Sequence, residues 1–80
     1  MKVTSAKYIA NYTIYVTFSD GKEGRVNLSD TLWGPMFEPL KDPEAFKDFS
    51  ISPIFDTICW KNGADIAPEY LHERVEEYIS

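Results

Sequence analysis

The segment from Trp60 to Leu71, W-K-N-G-A-D-I-A-P-E-Y-L, constrains the fold more than any other part of the chain. It closes an apolar run at Trp60, offers Asn62-Gly63 as a turn, and places Pro68 where a helix can begin. Asn-Gly is a strong turn signal because both residues tolerate positive φ. Proline suits the first helical turn, where its missing N–H would find no partner anyway. A strand, a turn and a helix start therefore follow one another at close quarters, and the rest of the chain must supply the surface on which they pack.

That surface is legible upstream. Residues 3–10 read as a strand with partial alternation, and Asn11 and Tyr12 as a turn. Thr13 to Phe18 alternates cleanly, with Ile14, Val16 and Phe18 on one face and Thr13, Tyr15 and Thr17 on the other. Ser19-Asp20-Gly21-Lys22 signals a turn, and Glu23 to Leu28 a third strand. Burial selects the register of this hairpin. A two-residue Asp20-Gly21 loop would set Val16 opposite Arg25 and Ile14 opposite Asn27. A three-residue loop, Ser19 to Gly21, pairs Ile14 with Val26 and Val16 with Gly24 instead. A slip of one residue turns every side chain over, so the odd-length loop is expected, with Gly21 in its left-handed position.

In the middle of the chain, Ser29 or Asp30 can cap a short helical or irregular segment anchored by Trp33, Met36, Phe37 and Leu40, and Pro35 and Pro39 prevent a long helix there. Asp42-Pro43-Glu44 is a helix start that should carry Ala45 and Phe46. Phe49 to Ile51 reads as a short strand, Ser52-Pro53 as a break, and Ile54 to Trp60 as a strand apolar enough to be central. The last helix is expected from Pro68 to about Ile79, because Leu71, Val75, Tyr78 and Ile79 form one stripe. Glu69, Glu73, Glu76 and Glu77 occupy much of the remaining surface. Glu69 complements the helix dipole. Glu76 and Glu77 lie at its wrong end, either solvated or awaiting cations from a partner. The expected fold is α+β: residues 1–80 as a single compact domain, an antiparallel β-meander with a C-terminal helix packed on the sheet and a short helical turn in the middle.

A chain of 80 residues buries a smaller share of its surface than a large one, but 15% of this one is aromatic. Each buried ring removes about 150–250 Å² from water, so folding is expected without metal, disulfide or cofactor. Cys59 is the sole cysteine, and in an apolar strand it reads as a buried structural thiol. A net charge of −5 argues against a phosphate-tracking surface and suits a protein that either meets a basic partner or simply stays dispersed. Direct nucleic-acid binding would need Lys2, Lys7, Lys22 and Arg25 on one face. No apolar run approaches the roughly 18–20 residues of a membrane span, and residues 1–8 lack the apolar core of a signal peptide, so a cytoplasmic location is the default expectation.

Few residues carry chemistry. His72, the lone imidazole, has Glu69 and Glu73 nearby but no recognised ligand spacing, and reads as a solvated helix residue. Asp65 is expected to accept hydrogen bonds from turn or helix-start amides; its functional alternative is to receive a cation or a basic side chain. Trp60 continues the Ile58 face and reads as core. Trp33, Met36 and Phe37 either fold back over the sheet, the favoured reading, or form an exposed contact patch. With no phosphate-cradling loop, zinc-like spacing or Ser-His pairing, the balance is against an enzyme.

Several stretches together resemble the small prokaryotic family catalogued as domain of unknown function 2442. They are F-S-D-G at Phe18 to Gly21, Val26 to Ser29, F-E-P-L-K-D from Phe37 to Asp42, Phe46, and above all I-C-W-K-N-G-A-D-I-A-P-E-Y-L from Ile58 to Leu71. Lys61 departs from the proline frequent there in relatives. The resemblance implies a compact α+β domain with an antiparallel sheet. Some relatives are fused to a helix-turn-helix; others are encoded beside another small protein, which suggests an antitoxin-like role in a two-gene pair. It implies no catalytic residues. The functional expectation is a small intracellular protein-binding or regulatory module. Its candidate contacts are Trp33, Met36, Phe37, Glu69, Glu73 and Glu76, with a sheet edge for strand addition or homodimerisation. The competing expectation is a small ligand-binding domain or minor enzyme using carboxylates around Asp65 and His72.

Overall fold

Alternation in the first part of the chain produces a three-stranded antiparallel meander: β1 (Val3–Ala10), β2 (Thr13–Phe18) and β3 (Glu23–Asn27). The computed structural model describes residues 1–75. Ile14, Val16 and Phe18 of β2 are buried, as are Val26 of β3 and Leu28 just beyond it. Ile14 pairs with Val26 and Val16 with Gly24, the register that burial demands. The loop is Ser19 to Gly21, as expected: Phe18 N donates to Lys22 O at 2.8 Å, Gly21 N to Phe18 O at 3.0 Å, and Gly21 has φ +91°. β1 alternates only partly because its pairing with β2 shifts register near both ends, between Val3 and Ser5 and between Tyr8 and Ala10.

The β1–β2 turn is tighter. Asn11 and Tyr12 take φ +52° and +63° between the paired Ala10 and Thr13, as a two-residue primed turn requires. Tyrosine is an unusual occupant of such a position. Its tertiary contacts account for it. The ring stands edge-on to Phe46 with centroids 5.3 Å apart, and the hydroxyl donates to Lys41 O.

After β3 the chain makes a 3-10 turn at Glu38–Lys41 and the short helix α1 (Pro43–Lys47). Asp42 caps α1, its Oδ1 accepting from Glu44 N at 3.1 Å. The helix delivers Phe46 into the core, where it meets Tyr8, Tyr12, Phe49 and Trp60. Trp60 is buried and its Nε1 donates to Phe46 O at 2.9 Å.

The next hairpin departs from expectation. Its strands are β4 (Ser50–Ser52) and β5 (Thr57–Cys59), which pair with each other as a second, two-stranded sheet apart from the meander. β5 is therefore neither as long as Ile54 to Trp60 nor central. The reason is local. Ser52 Oγ accepts from the amides of Ile54 and Phe55, Asp56 N donates to Ser52 O, and Asp56 turns the chain at φ +57°. Ile54 and Phe55 are left at a tip, 80% and 61% exposed. Val3 N donates to Asp56 O at 2.9 Å and ties this hairpin to β1. Cys59 is half-buried rather than buried, its Sγ 3.7 Å from Ser50 Oγ.

Asn62-Gly63 turns the chain as expected, and it does so by repeating the first hairpin loop. Trp60 N donates to Ala64 O at 2.9 Å, Gly63 N to Trp60 O at 3.0 Å, and Gly63 has φ +92°. Asp20 Oδ1 accepts from Lys22 N in one loop, and Asn62 Oδ1 from Ala64 N in the other, both at 3.0 Å. Aromatic, any residue, Asx, glycine is thus one structural unit used twice. α2 (Pro68–Arg74) follows, with Leu71 buried on the core and Val75 beside it. The later stripe residues Tyr78 and Ile79 lie outside the described residues, as do Glu76 and Glu77. Among the described residues no helix is long and apolar enough to cross a membrane.

The two glycines should behave alike on substitution. Nothing lies within 4 Å of a Cβ built at Gly21, and at Gly63 only Met36 Cε approaches, at 3.5 Å, so the left-handed backbone dominates the penalty. Gly21→Ala and Gly63→Ala are each expected to lower stability by about 1–2 kcal/mol. Urea unfolding of the two variants tests this, and a loss at one site alone would break the equivalence.

Candidate functional site

The loop after β3 is built to hold one large side chain outward. Thr31 N donates to Leu28 O and Trp33 N to Thr31 O, both at 2.9 Å. Gly34 reverses the chain at φ +87°, and its carbonyl accepts from the amides of Phe37 and Glu38. Leu32 is buried, and Phe37 packs edge-on to Trp60 with centroids 6.4 Å apart. Between these anchors Trp33 is 74% exposed and Met36 47%. The favoured expectation, a loop folded back over the sheet, therefore fails for Trp33 and Met36. Leu32, Phe37 and Leu40 supply this segment's share of the core, and adjacent Trp33 is turned to solvent.

Facing this loop is the chain entering α2. Asp65, Ile66, Ala67 and Tyr70 form one wall of a groove of about 360 Å³, and Trp33, Phe37 and Thr31 form the other. Each wall is fixed. Asp65 forms a backbone bridge with Cys59, Ile66 is buried, and Tyr70 Oη lies 2.8 Å from Thr31 Oγ1. Arg74 lies over the Tyr70 ring at 4.6 Å and donates to Asp30 Oδ1 at 3.1 Å. Sequence reasoning singled out Trp33, Phe37 and Asp65 but missed Tyr70 and Thr31. They meet across 39 positions, a distance at which no local pattern carries information.

Asp65 does not cap. The turn amide it might have served, Ala64 N, is taken by Asn62, and the start of α2 has no side-chain cap. The Asp65 side chain is exposed on the groove wall, and among the described residues no hydrogen bond or ion pair engages its carboxylate. Glu69 and Glu73 are exposed on α2, and Glu76 lies outside the described residues.

His72 is not simply solvated. It is half-buried, its ring is edge-on to Phe18 with centroids 4.8 Å apart, and Nε2 lies 2.9 Å from Asp20 Oδ2. It joins α2 to the first hairpin loop and is not part of the groove wall that carries Asp65. The two groups on which a small enzyme would depend thus lie in different places, His72 on Asp20 and Asp65 on the groove wall. On the outer face of the meander, Lys7, Tyr15 and Arg25 stand in one row. A hydrogen bond with Glu23 and partial burial raise the Tyr15 pKa. Lys2 and Lys22 belong instead to the end of the meander at the Ser19 loop. Among the described residues no three His, Cys, Asp or Glu side chains gather as a metal site.

Residues 3–77 match the model of the family described as Protein of unknown function (DUF2442), and the chain belongs to that family. No curated protein and no solved structure is matched.

The Asp20–His72 contact has a consequence in acid. The Lys22 amide, and then the His72 imidazole, hold the Asp20 carboxyl below its ordinary value. A carboxylate with a depressed folded-state pKa contributes stability that is complete above its unfolded pKa, about 3.9. That contribution disappears as pH falls through the lower folded value. Asp20→Asn keeps an acceptor for Lys22, as Asn62 does in the twin loop, but removes the titration. The wild type should therefore exceed the variant in urea midpoint at neutral pH, and the gap should close between about pH 5 and pH 2. A gap that stays constant over that range would show the contact to be without effect.

Proposed function

We propose that this DUF2442 domain is a small protein-binding module whose docking surface is the groove between the Trp33 loop and the start of α2. The observation that carries the reading is Trp33, 74% exposed on a loop held by the backbone hydrogen bonds of Thr31, Trp33, Phe37 and Glu38 and flanked by anchored neighbours. Burying roughly 150 Å² of ring is worth about 4 kcal/mol before the cost of association. A preformed loop loses little further freedom on docking. Tryptophan is the residue type most enriched among those that dominate interface energy. Met36 extends the apolar surface beside it.

The net charge of −5 favours a basic partner. An antitoxin-like role, in which the module masks a protein encoded beside it, is one cytoplasmic setting that suits such a surface. Homodimerisation would use a different feature, the outer side of β3, which pairs with no other described strand. The ligand-binding or enzymatic reading has less support, because among the described residues His72 does not line the groove that carries Asp65 and lies instead on Asp20.

Affinity capture from the native host tests the docking surface. Trp33→Ala should reduce recovery of the captured partner at least about tenfold, the equivalent of roughly 1.4 kcal/mol, while its thermal midpoint stays at the wild-type value. Ile54→Ala, at the other exposed apolar tip, should leave recovery unchanged. Equal recovery with wild type and Trp33→Ala would remove the groove from the interface.

A further inference from the structure

The walls of the groove are chemically mixed in a way that selects its occupant. Trp33, Phe37 and Tyr70 offer aromatic surface, Ile66 and Ala67 add aliphatic surface, and among the described residues the sole charged lining residue is Asp65. A purely apolar side chain entering this space would cover the rings but press hydrocarbon against a carboxylate with no compensating partner, which opposes binding. A small cation alone would satisfy Asp65 and leave the rings wet. A flat cation on an apolar stem satisfies both. Resting on the docking reading above, we infer that the partner inserts an arginine side chain into this groove, its guanidinium against Trp33 and its N–H groups on the Asp65 carboxylate.

Arginine fits better than lysine for three reasons. Its guanidinium is planar and can lie on an aromatic face. It is less strongly hydrated than an ammonium, and it presents paired N–H groups to a carboxylate. The chain already uses the same combination at the groove's edge, where Arg74 lies over the Tyr70 ring at 4.6 Å and contacts both Asp30 oxygens at 3.1 and 3.4 Å. That arrangement occupies Arg74. Among the described residues no Lys or Arg lines the groove itself, so its negative charge is open to a cation from outside. The volume, about 360 Å³, is at the scale of sites that enclose a small ligand or a single long side chain.

Titration of the full-length ¹⁵N-labelled protein with three blocked amino acids separates these contributions. N-acetyl-arginine amide carries the charge, N-acetyl-citrulline amide has nearly the same shape without it, and N-acetyl-leucine amide is apolar only. The readouts are the Trp33 indole N–H and the amides of Ile66 and Ala67. The Trp60 indole, buried on Phe46 O, is the internal control and should stay still. The arginine derivative should bind about five- to tenfold more tightly than the citrulline derivative. Asp65→Asn, a change at an exposed position, should erase that difference without altering the thermal midpoint, and Trp33→Ala should weaken the arginine derivative. Equal binding of the arginine and leucine or citrulline derivatives would overturn the arginine assignment and leave the docking surface standing. If no groove resonance responds to the arginine derivative, the assignment is overturned, and the Trp33→Ala capture experiment decides the docking reading separately.

Discussion

Phe46 is the point on which the packing turns. Its ring is completely buried and touches aromatic side chains from β1, from the β1–β2 turn, from the segment before β4 and from the residue just after β5. Its backbone carbonyl accepts from the Trp60 indole. One residue of a very short helix therefore holds the meander and the second hairpin together. A helix as short as α1 has no stability of its own, so the Asp42 cap and this tertiary clamp must act together. The clamp also explains Tyr12: a positive φ that would be unfavourable in isolation aims a ring and a hydroxyl at Phe46 and Lys41 O.

The docking groove depends on the same clamp at one remove. Phe37, at the base of the exposed loop, packs on Trp60, and Asn62 Nδ2 donates to Met36 O at 2.8 Å. The second Asx-glycine turn thereby fixes the loop that presents Trp33, while the residues after it build the opposite wall. Architecture and recognition share residues here. Asn62 closes its own turn with Oδ1 and steadies the loop with Nδ2. That division of work leaves the Asp65 carboxylate without a structural task among the described residues, while its backbone bridges to Cys59.

How much of this was legible depended on the range of the interaction. The Ile14–Val26 register, the Asp42 cap and the two Asx-glycine turns rest on neighbours in sequence or on a face pattern, and the residues announce them. β5 was misjudged because apolarity at Ile54 and Phe55 looks the same in a strand as at a tip; the deciding group is the Ser52 hydroxyl, which claims both amides. His72 finds Asp20 across 52 positions, and Tyr70 finds Thr31 across 39, contacts that only the assembled fold creates. Asp65 was assigned a capping role suited to its residue type, but Asn62 reached the amide first. Trp33 was misjudged because large apolar residues are usually buried, and a recognition surface is where that tendency fails.

The second Asx-glycine turn also bears on how the molecule ages. An asparagine followed by glycine is chemically labile, because the glycine amide nitrogen can attack the side-chain carbonyl and expel ammonia through a cyclic imide. In this fold the Gly63 N–H is committed to Trp60 O, and the Asn62 carboxamide is held at both ends, by Ala64 N and by Met36 O. The ring closure needs that clasp to open. Succinimide formation at Asn62 is therefore gated by local unfolding, and its rate, followed by mass spectrometry over days, reports the fraction of molecules in which the turn that supports the Trp33 loop is open.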